Sequence, residues 1–261
     1  GGINHQPTSQ ISIALSVPAA GALSKAHAEL LLGNCSIEEL IQLTTTTHFG
    51  VGRQKLIQAR SHFEMSISEL QIALSYVARI TDMVGNAEYQ PFDISAIDAE
   101  ELIEACIAAG ILPDSTEVRT AITVAKTTGY QGIFFEIKDR LEAAVTEVRA
   151  LCETTDPMIE GSEGTQGYFW QNVENNRTSW RSDYMAALTA MTNAVAFWSA
   201  TAAICTEVHH HHTQTGSLLT HSRASANIGE DRSRDKIRRG KRDDRKVSAQ
   251  PLTVIILLHH H

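Results

Sequence analysis

Four consecutive histidines, His209, His210, His211 and His212, are the side chains most obviously able to bind something through their own chemistry. Imidazole suits divalent transition metals. Glu207 stands three residues before His210, which puts the two on one helical face. A di-iron bundle site, however, needs two such Glu-x-x-His pairs and two further glutamates, and no second pair occurs in the chain. Adjacent histidines cannot all turn to one ion, and a working site holds its ligands on separate rigid elements backed by outer hydrogen bonds. The quartet is therefore expected to take up metal only adventitiously, as an affinity tag does, and the closing His259–His261 triplet reads the same way. No cofactor is expected.

The chain carries no GxSxG, no P-loop, no GxGxxG after a strand and no HExxH. The glycines of 161–167 follow a helix and precede no GK[ST]. His62, beside Phe63, reads as a half-buried packing residue rather than a base, and the carboxylates of Glu38, Glu39, Glu100, Glu101 and Glu104 stand where helix capping already accounts for them. Catalysis has no motif behind it. Tyr168, Phe169 and Trp170 form an aromatic knot that could anchor a partner, since aromatic residues dominate interface hot spots. The favoured reading is a plug closing the end of a helical bundle.

Residues 230–246 hold nine Lys and Arg against five acids. That leaves 13 basic and 25 acidic side chains in the remainder, a balance of −12 within an overall −8. An acidic body repels nucleic acid and anionic membrane, so any such contact belongs to this tail. With no aromatic residue to stack on a base and interleaved acids halving its field, 231–246 can offer weak, salt-sensitive phosphate binding at most. The helices read over 98–109 and 114–128, joined by Gly110–Pro113, have helix–turn–helix spacing. Arg119 and Lys126 are too few cations for a recognition helix, so a plain αα-hairpin is expected.

Between Asp183 and Glu207 lie 23 uncharged residues, long enough to cross a bilayer, with Ala186, Ala190 and Ala194 as a small-residue row. Thr189, Thr192, Asn193, Ser199, Thr201 and Thr206 dilute the stretch, and a buried bundle helix is the preferred reading. Membrane insertion of 184–206 is kept as the alternative.

The elements that must position these residues are set by apolar periodicity. Phe63, Ile67, Leu70, Leu74, Val77, Thr81 and Val84 alternate at spacings of four and three. So do Phe134, Ile137, Leu141, Ala144, Val148 and Leu151, and again Tyr184, Leu188, Met191, Val195, Trp198, Ala202 and Cys205. Such spacing keeps one stripe of a helix against a partner. It predicts three long helices, over about 53–84, 132–153 and 178–208. Shorter helices are predicted at 20–32, stopped by Gly33-Asn34, and from a capping box Ser36–Glu39 to Leu43, with a loop at 156–167.

The 261 residues are 43% hydrophobic, enough for a sizeable core. The four scattered cysteines, Cys35, Cys106, Cys152 and Cys205, lack metal-ligand spacing and read as thiols, and the two sequons at Asn34 and Asn176 matter only on a secreted chain. Ile11–Leu23 resembles a signal segment faintly, but with Pro18 and no basic flank it reads as a first element of the fold. The expected architecture is all-α: an antiparallel helical bundle of three long heptad-patterned helices plus short ones over 20–208, after a loose 1–19 and before a disordered, His-rich, mixed-charge tail at 209–261. The expected role is a non-catalytic interaction or scaffold protein, contacting itself or a protein partner through its helices. Membrane is the alternative partner, and nucleic acid enters only through the tail.

Overall fold

The computed structural model describes residues 5–85, 99–160 and 165–218, except for the side chains at 5–15, 83–85, 129–131 and 205–218. The described residues contain five α-helices and no strand: α1 (His5–Gln42), α2 (Phe49–Gly85), α3 (Ala99–Ala108), α4 (Thr116–Glu160) and α5 (Gln166–Leu218). The chain is all-α, and its helices pack as bundles in two compact units. Unit 1 takes Gly1–Gly21, Ser75–Asp139 and Asn193–His261; unit 2 takes Ala22–Leu74 and Arg140–Thr192.

Four helical segments of unit 2 pack antiparallel in a closed ring. Glu39 meets Lys55 at 2.6 Å, Glu29 meets His62 at 2.6 Å, and the Ser66 hydroxyl donates to the Ala26 carbonyl at 2.7 Å, so numbers fall along α1 as they rise along α2. Arg60 of α2 pairs with Asp156 of α4. Thr154 and Met158 of α4 meet Asp183 and Asn176 of α5, at 2.9 and 3.3 Å. Arg181 of α5 returns to Glu38 of α1 at 3.3 Å. The ring explains why exposed ion pairs, individually weak, recur here: they lie along the seams between neighbours.

The buried stripe of α2 runs Gly52, Leu56, Ala59, Phe63, Ser66, Leu70, Ala73, Val77 and Ile80, an alternation of four and three, with Thr81 buried beside its end. Of the six described residues of the seam read from the sequence, Phe63, Leu70, Val77 and Thr81 are buried, whereas Ile67 and Leu74 are only half-buried and the smaller Ser66 and Ala73 take their place. The same exchange occurs in α5, where Ala187 and Ala194 are buried rather than Leu188 and Val195. Small residues at these positions let backbones approach, and the larger neighbours cover the flank. In α4 the expected seam is buried in full and extends through Thr155 and Met158.

Three breaks expected from sequence signals are absent, each for a local reason. Gly33 lies inside α1: a Cβ there would meet the Phe63 ring, 2.6 Å from Cδ1, so the glycine admits a side chain instead of ending a helix. Ser36 is mid-helix, its hydroxyl reaching back to the Leu32 carbonyl at 3.4 Å, while Glu39 pairs with Lys55; the capping box is not formed. The segments flanking Gly129 are one helix, with the Thr127 and Thr128 hydroxyls returned to the Thr123 and Val124 carbonyls at 2.8 and 2.7 Å. The loop expected at 156–167 is narrower, because α4 continues past Pro157 to Glu160 and α5 begins at Gln166. The helix expected to start near Thr178 thus starts twelve residues earlier, and it runs to Leu218.

In unit 1 the expected stop of α3 is confirmed. Gly110 has φ 74°, the Ile111 amide donates to the Cys106 carbonyl at 2.9 Å, and the Gly110 amide donates to Ile107 at 3.0 Å, a Schellman close. The cap of α4 is Ser115, whose hydroxyl accepts from the Val118 amide at 3.3 Å, while Asp114 before it pairs with Arg119. The core of unit 1 draws on Ala99, Ile103 and Cys106 of α3, Val118, Ile122 and Ala125 of α4, and residues 196–204 of α5.

Replacing Gly33 by Ala is expected to destabilise the protein by about 1–3 kcal/mol through overpacking against Phe63, net of the helix propensity that alanine adds. The double variant with Phe63→Leu should recover part of that loss. Urea unfolding of the single and double variants measures the coupling, and an additive pair would remove the close approach as its cause.

Candidate functional site

The connection from α1 to α2 and the start of α5 build one end of unit 2. Thr44–Thr47 form a turn, with the Thr47 amide on the Thr44 carbonyl at 3.0 Å and the Thr44 and Thr46 hydroxyls 2.7 Å apart. Gln166 grips this turn from α5: its side-chain amide donates to the Thr45 carbonyl at 3.1 Å and its oxygen accepts from the Phe49 amide at 3.2 Å. Trp170 Nε1 donates to the Thr47 carbonyl at 3.1 Å.

Phe169 lies edge-on to Trp170, with centroids 5.0 Å apart, and tilted against Phe49 at 6.2 Å. It sits where a Cβ on Gly52 would come within 2.6 Å of its ring. Phe169 and Trp170 are buried and Tyr168 is 56% exposed. Of the three residues read as a plug, with a partner anchor as the alternative, Phe169 and Trp170 line the interior and Tyr168 faces solvent. Gln166 and Gly52 escaped the sequence reading; a glutamine carries no positional signal, and the role of a glycine depends on what packs over it.

Between α2 and α4, a cleft of about 380 Å³ is lined by Ile57, Arg60, Ser61, Glu64, Asp156, Ile159 and Glu160. Arg60 pairs with Asp156 and, at 2.9 Å, with Glu64. The hydrogen bond to Asp156 holds its guanidinium charged more firmly than usual, against a smaller opposing effect of burial. Burial, followed by the charges of Asp156 and Glu64, pushes the Cys152 thiol beside this network up to about 11. A thiol so protonated is a poor nucleophile. The cleft therefore gathers an ion-pair network beside a protonated thiol.

His62 is half-buried, as the sequence suggested, and its Nδ1 lies 2.6 Å from Glu29. Burial pushes His27, on the neighbouring turn of α1, below the ordinary histidine range. Among the described residues, no three of His, Cys, Asp and Glu gather as a metal site. His209–His212 fall on the helical backbone of α5, but their side chains lie outside the described residues, as does the basic run 231–246. In the α3–α4 hairpin, Arg119 pairs with Asp114 and with Glu104 at 3.2 Å, and Lys126 pairs with Glu100 at 2.8 Å. Both cations of the would-be recognition helix are thereby matched by acids, leaving little for phosphate.

Compared with protein-family profiles, curated proteins and solved structures, the chain matches none. The class that fold and site define is an all-α protein with two helical units.

At pH 8, where a thiol titrating near 11 is about 0.1% thiolate, iodoacetamide should modify exposed Cys35 at least about tenfold faster than Cys152. Peptide mapping of a time course reads this, and equal rates would refute the half-buried, acid-flanked setting of Cys152. Trp170→Phe removes the bond to Thr47 and should destabilise the protein by about 1–2 kcal/mol, with faster amide exchange over 43–48. Unchanged exchange there would mean that the plug does not hold the turn.

Proposed function

We propose that this chain is a non-catalytic interaction protein that receives an amphipathic helix of another protein chain, a second copy being the simplest case, on the outer face of unit 2. The observation that carries the reading is where the exposed large apolar residues fall. Of eight such side chains among the described residues, seven belong to unit 2: Leu31, Leu32, Val51, Met65, Ile72, Tyr168 and Met185. Val51 and Met65 stand on one stripe of α2, fourteen residues apart and outside the core seam, and are 47% and 40% exposed. Leu32, 47% exposed, lies on α1 between the levels of the Glu39–Lys55 and Glu29–His62 pairs, so it belongs to the same flank.

A helix that spends one heptad stripe on its own bundle and carries further apolar residues on another face has the pattern used to seat a partner helix. Single exposed apolar residues are ordinary on soluble proteins; their concentration in one unit and on neighbouring helices supports the reading. A catalytic role gains no such support from the α2–α4 cleft, where Arg60, Glu64 and Asp156 are held in ion pairs.

Light scattering coupled to size-exclusion chromatography tests the proposal on the full chain. Wild type is expected to elute as a discrete oligomer, and Leu32→Glu with Met65→Glu is expected to shift it to monomer. Both sites are exposed, so the melting temperature should move by no more than a few degrees for a change of about 0.5 kcal/mol. A monomeric wild type, or a double variant that associates as before, would overturn this docking face.

A further inference from the structure

Tyr184–Thr206 is one continuous part of α5, and its 23 residues contain no Asp, Glu, Lys, Arg or His. At 1.5 Å per residue it spans about 35 Å, against about 30 Å for the hydrocarbon core of a bilayer. α5 is long and apolar enough to cross a membrane, with 67% of its most apolar window buried inside the protein. That much also describes the core helix of a soluble bundle, and for 194–204 burial accounts for the neutrality.

Burial does not account for it at Met185, Ala186, Thr189 and Thr192, which face solvent. An exposed helix face ordinarily carries charge. Earlier in α5 the exposed face carries Glu174 and Arg181, and in α4 it carries Arg149 and Glu153. Between Tyr184 and Thr192 the water-facing side carries no charge, where the soluble fold would accept it without penalty.

A second observation concerns the interior. Residues 196–204 are buried without interruption, so over two and a half turns the helix has no outward side. Within that stretch, Trp198 Nε1, Ser199 Oγ and Thr201 Oγ1 are buried without a hydrogen-bond partner. Each carries a desolvation penalty that the folded interior does not offset, so the soluble state holds this helix less firmly than its burial suggests. In hydrocarbon, the Ser and Thr hydroxyls can return to carbonyls of their own helix, as Thr192 already does to Leu188 at 2.6 Å.

We infer that the Tyr184–Thr206 segment is a membrane-insertion element: α5 leaves its place in the fold and enters a lipid bilayer, its neutral outer face being the feature that this step requires. The inference rests on α5 and shares Met185 with the exposed apolar residues of unit 2. Leaving the fold moves only non-covalent contacts, with no bond made or broken.

The test uses the full chain and unilamellar vesicles, zwitterionic or containing about 30% anionic lipid, with acyl chains brominated near their ends. All three tryptophans lie on α5, and Trp198 is three residues from the centre of the segment. Wild type is expected to float with the vesicles and to lose tryptophan emission to the bromolipid. Thr189→Asp with Thr192→Asp places charge on exposed positions near the segment's centre. It should leave the melting temperature in solution unchanged and reduce vesicle binding and quenching by about tenfold or more; Thr192→Asp alone serves if the pair fails to fold. Asn175→Asp with Ser179→Asp adds the same charge at exposed positions outside the segment and should bind as wild type does. Failure of wild type to float with either vesicle overturns the inference. Binding that the central charges leave unchanged, or that the outer charges reduce equally, overturns it as well, because the contact is then adsorption to the surface.

Discussion

The packing of unit 2 depends on helices approaching one another closely at residues with little or no side chain. Gly33 makes room for the ring of Phe63, Gly52 for the ring of Phe169, and the Ser66 hydroxyl reaches the Ala26 carbonyl across the α1–α2 contact. Close-packed interiors tolerate neither voids nor overlap. A large ring on one helix therefore requires a small residue on the next, and the pairing sets the depth at which each helix sits. The ion pairs along the seams, Glu39–Lys55, Arg60–Asp156 and Arg181–Glu38, are partly exposed and contribute little energy. They match charges across neighbouring helices and so favour one register along the seams.

From this constraint follows the end of the bundle. With Phe169 seated over Gly52, the next residue, Trp170, is carried to the Thr44–Thr47 turn, and Gln166 one turn earlier reaches the same turn from the other side. The turn has few apolar side chains of its own, so it is held by hydrogen bonds from α5. Tyr168, between the two, is left outside. Membership of the aromatic knot thus has two physical meanings: interior closure for Phe169 and Trp170, and an exposed surface residue for Tyr168.

The two functional readings draw on different parts of the same economy of side chains. The outer face of unit 2 has apolar residues where polar ones would serve the fold as well, and the outer face of Tyr184–Thr192 has neutral residues where charged ones would. In each case the fold is indifferent to the choice, which makes these positions informative about a partner. Core positions such as Leu70 or Val148 carry no such information, because packing alone dictates them.

Helical class was legible from the chain itself, because a three-and-four alternation of apolar residues has one structural meaning in a soluble chain. The α4 seam from Phe134 to Leu151 was readable residue by residue, as were the stop at Gly110 and the end of α1 ahead of the threonine run, where local geometry decides. What the chain could not reveal was which of two adjacent residues faces the core. In α2 and α5 the larger ones, Ile67, Leu74, Leu188 and Val195, looked like core, and the smaller Ser66, Ala73, Ala187 and Ala194 took that place. Periodicity measures apolar size, whereas the distance between neighbouring backbones decides which size fits. Gly33 likewise looked like a helix stop until Phe63 was seen against it, and the Ser36–Glu39 signature lost its meaning once α1 ran through it. A glycine or a cap is a local signal, and packing along the full length of a helix outweighs it.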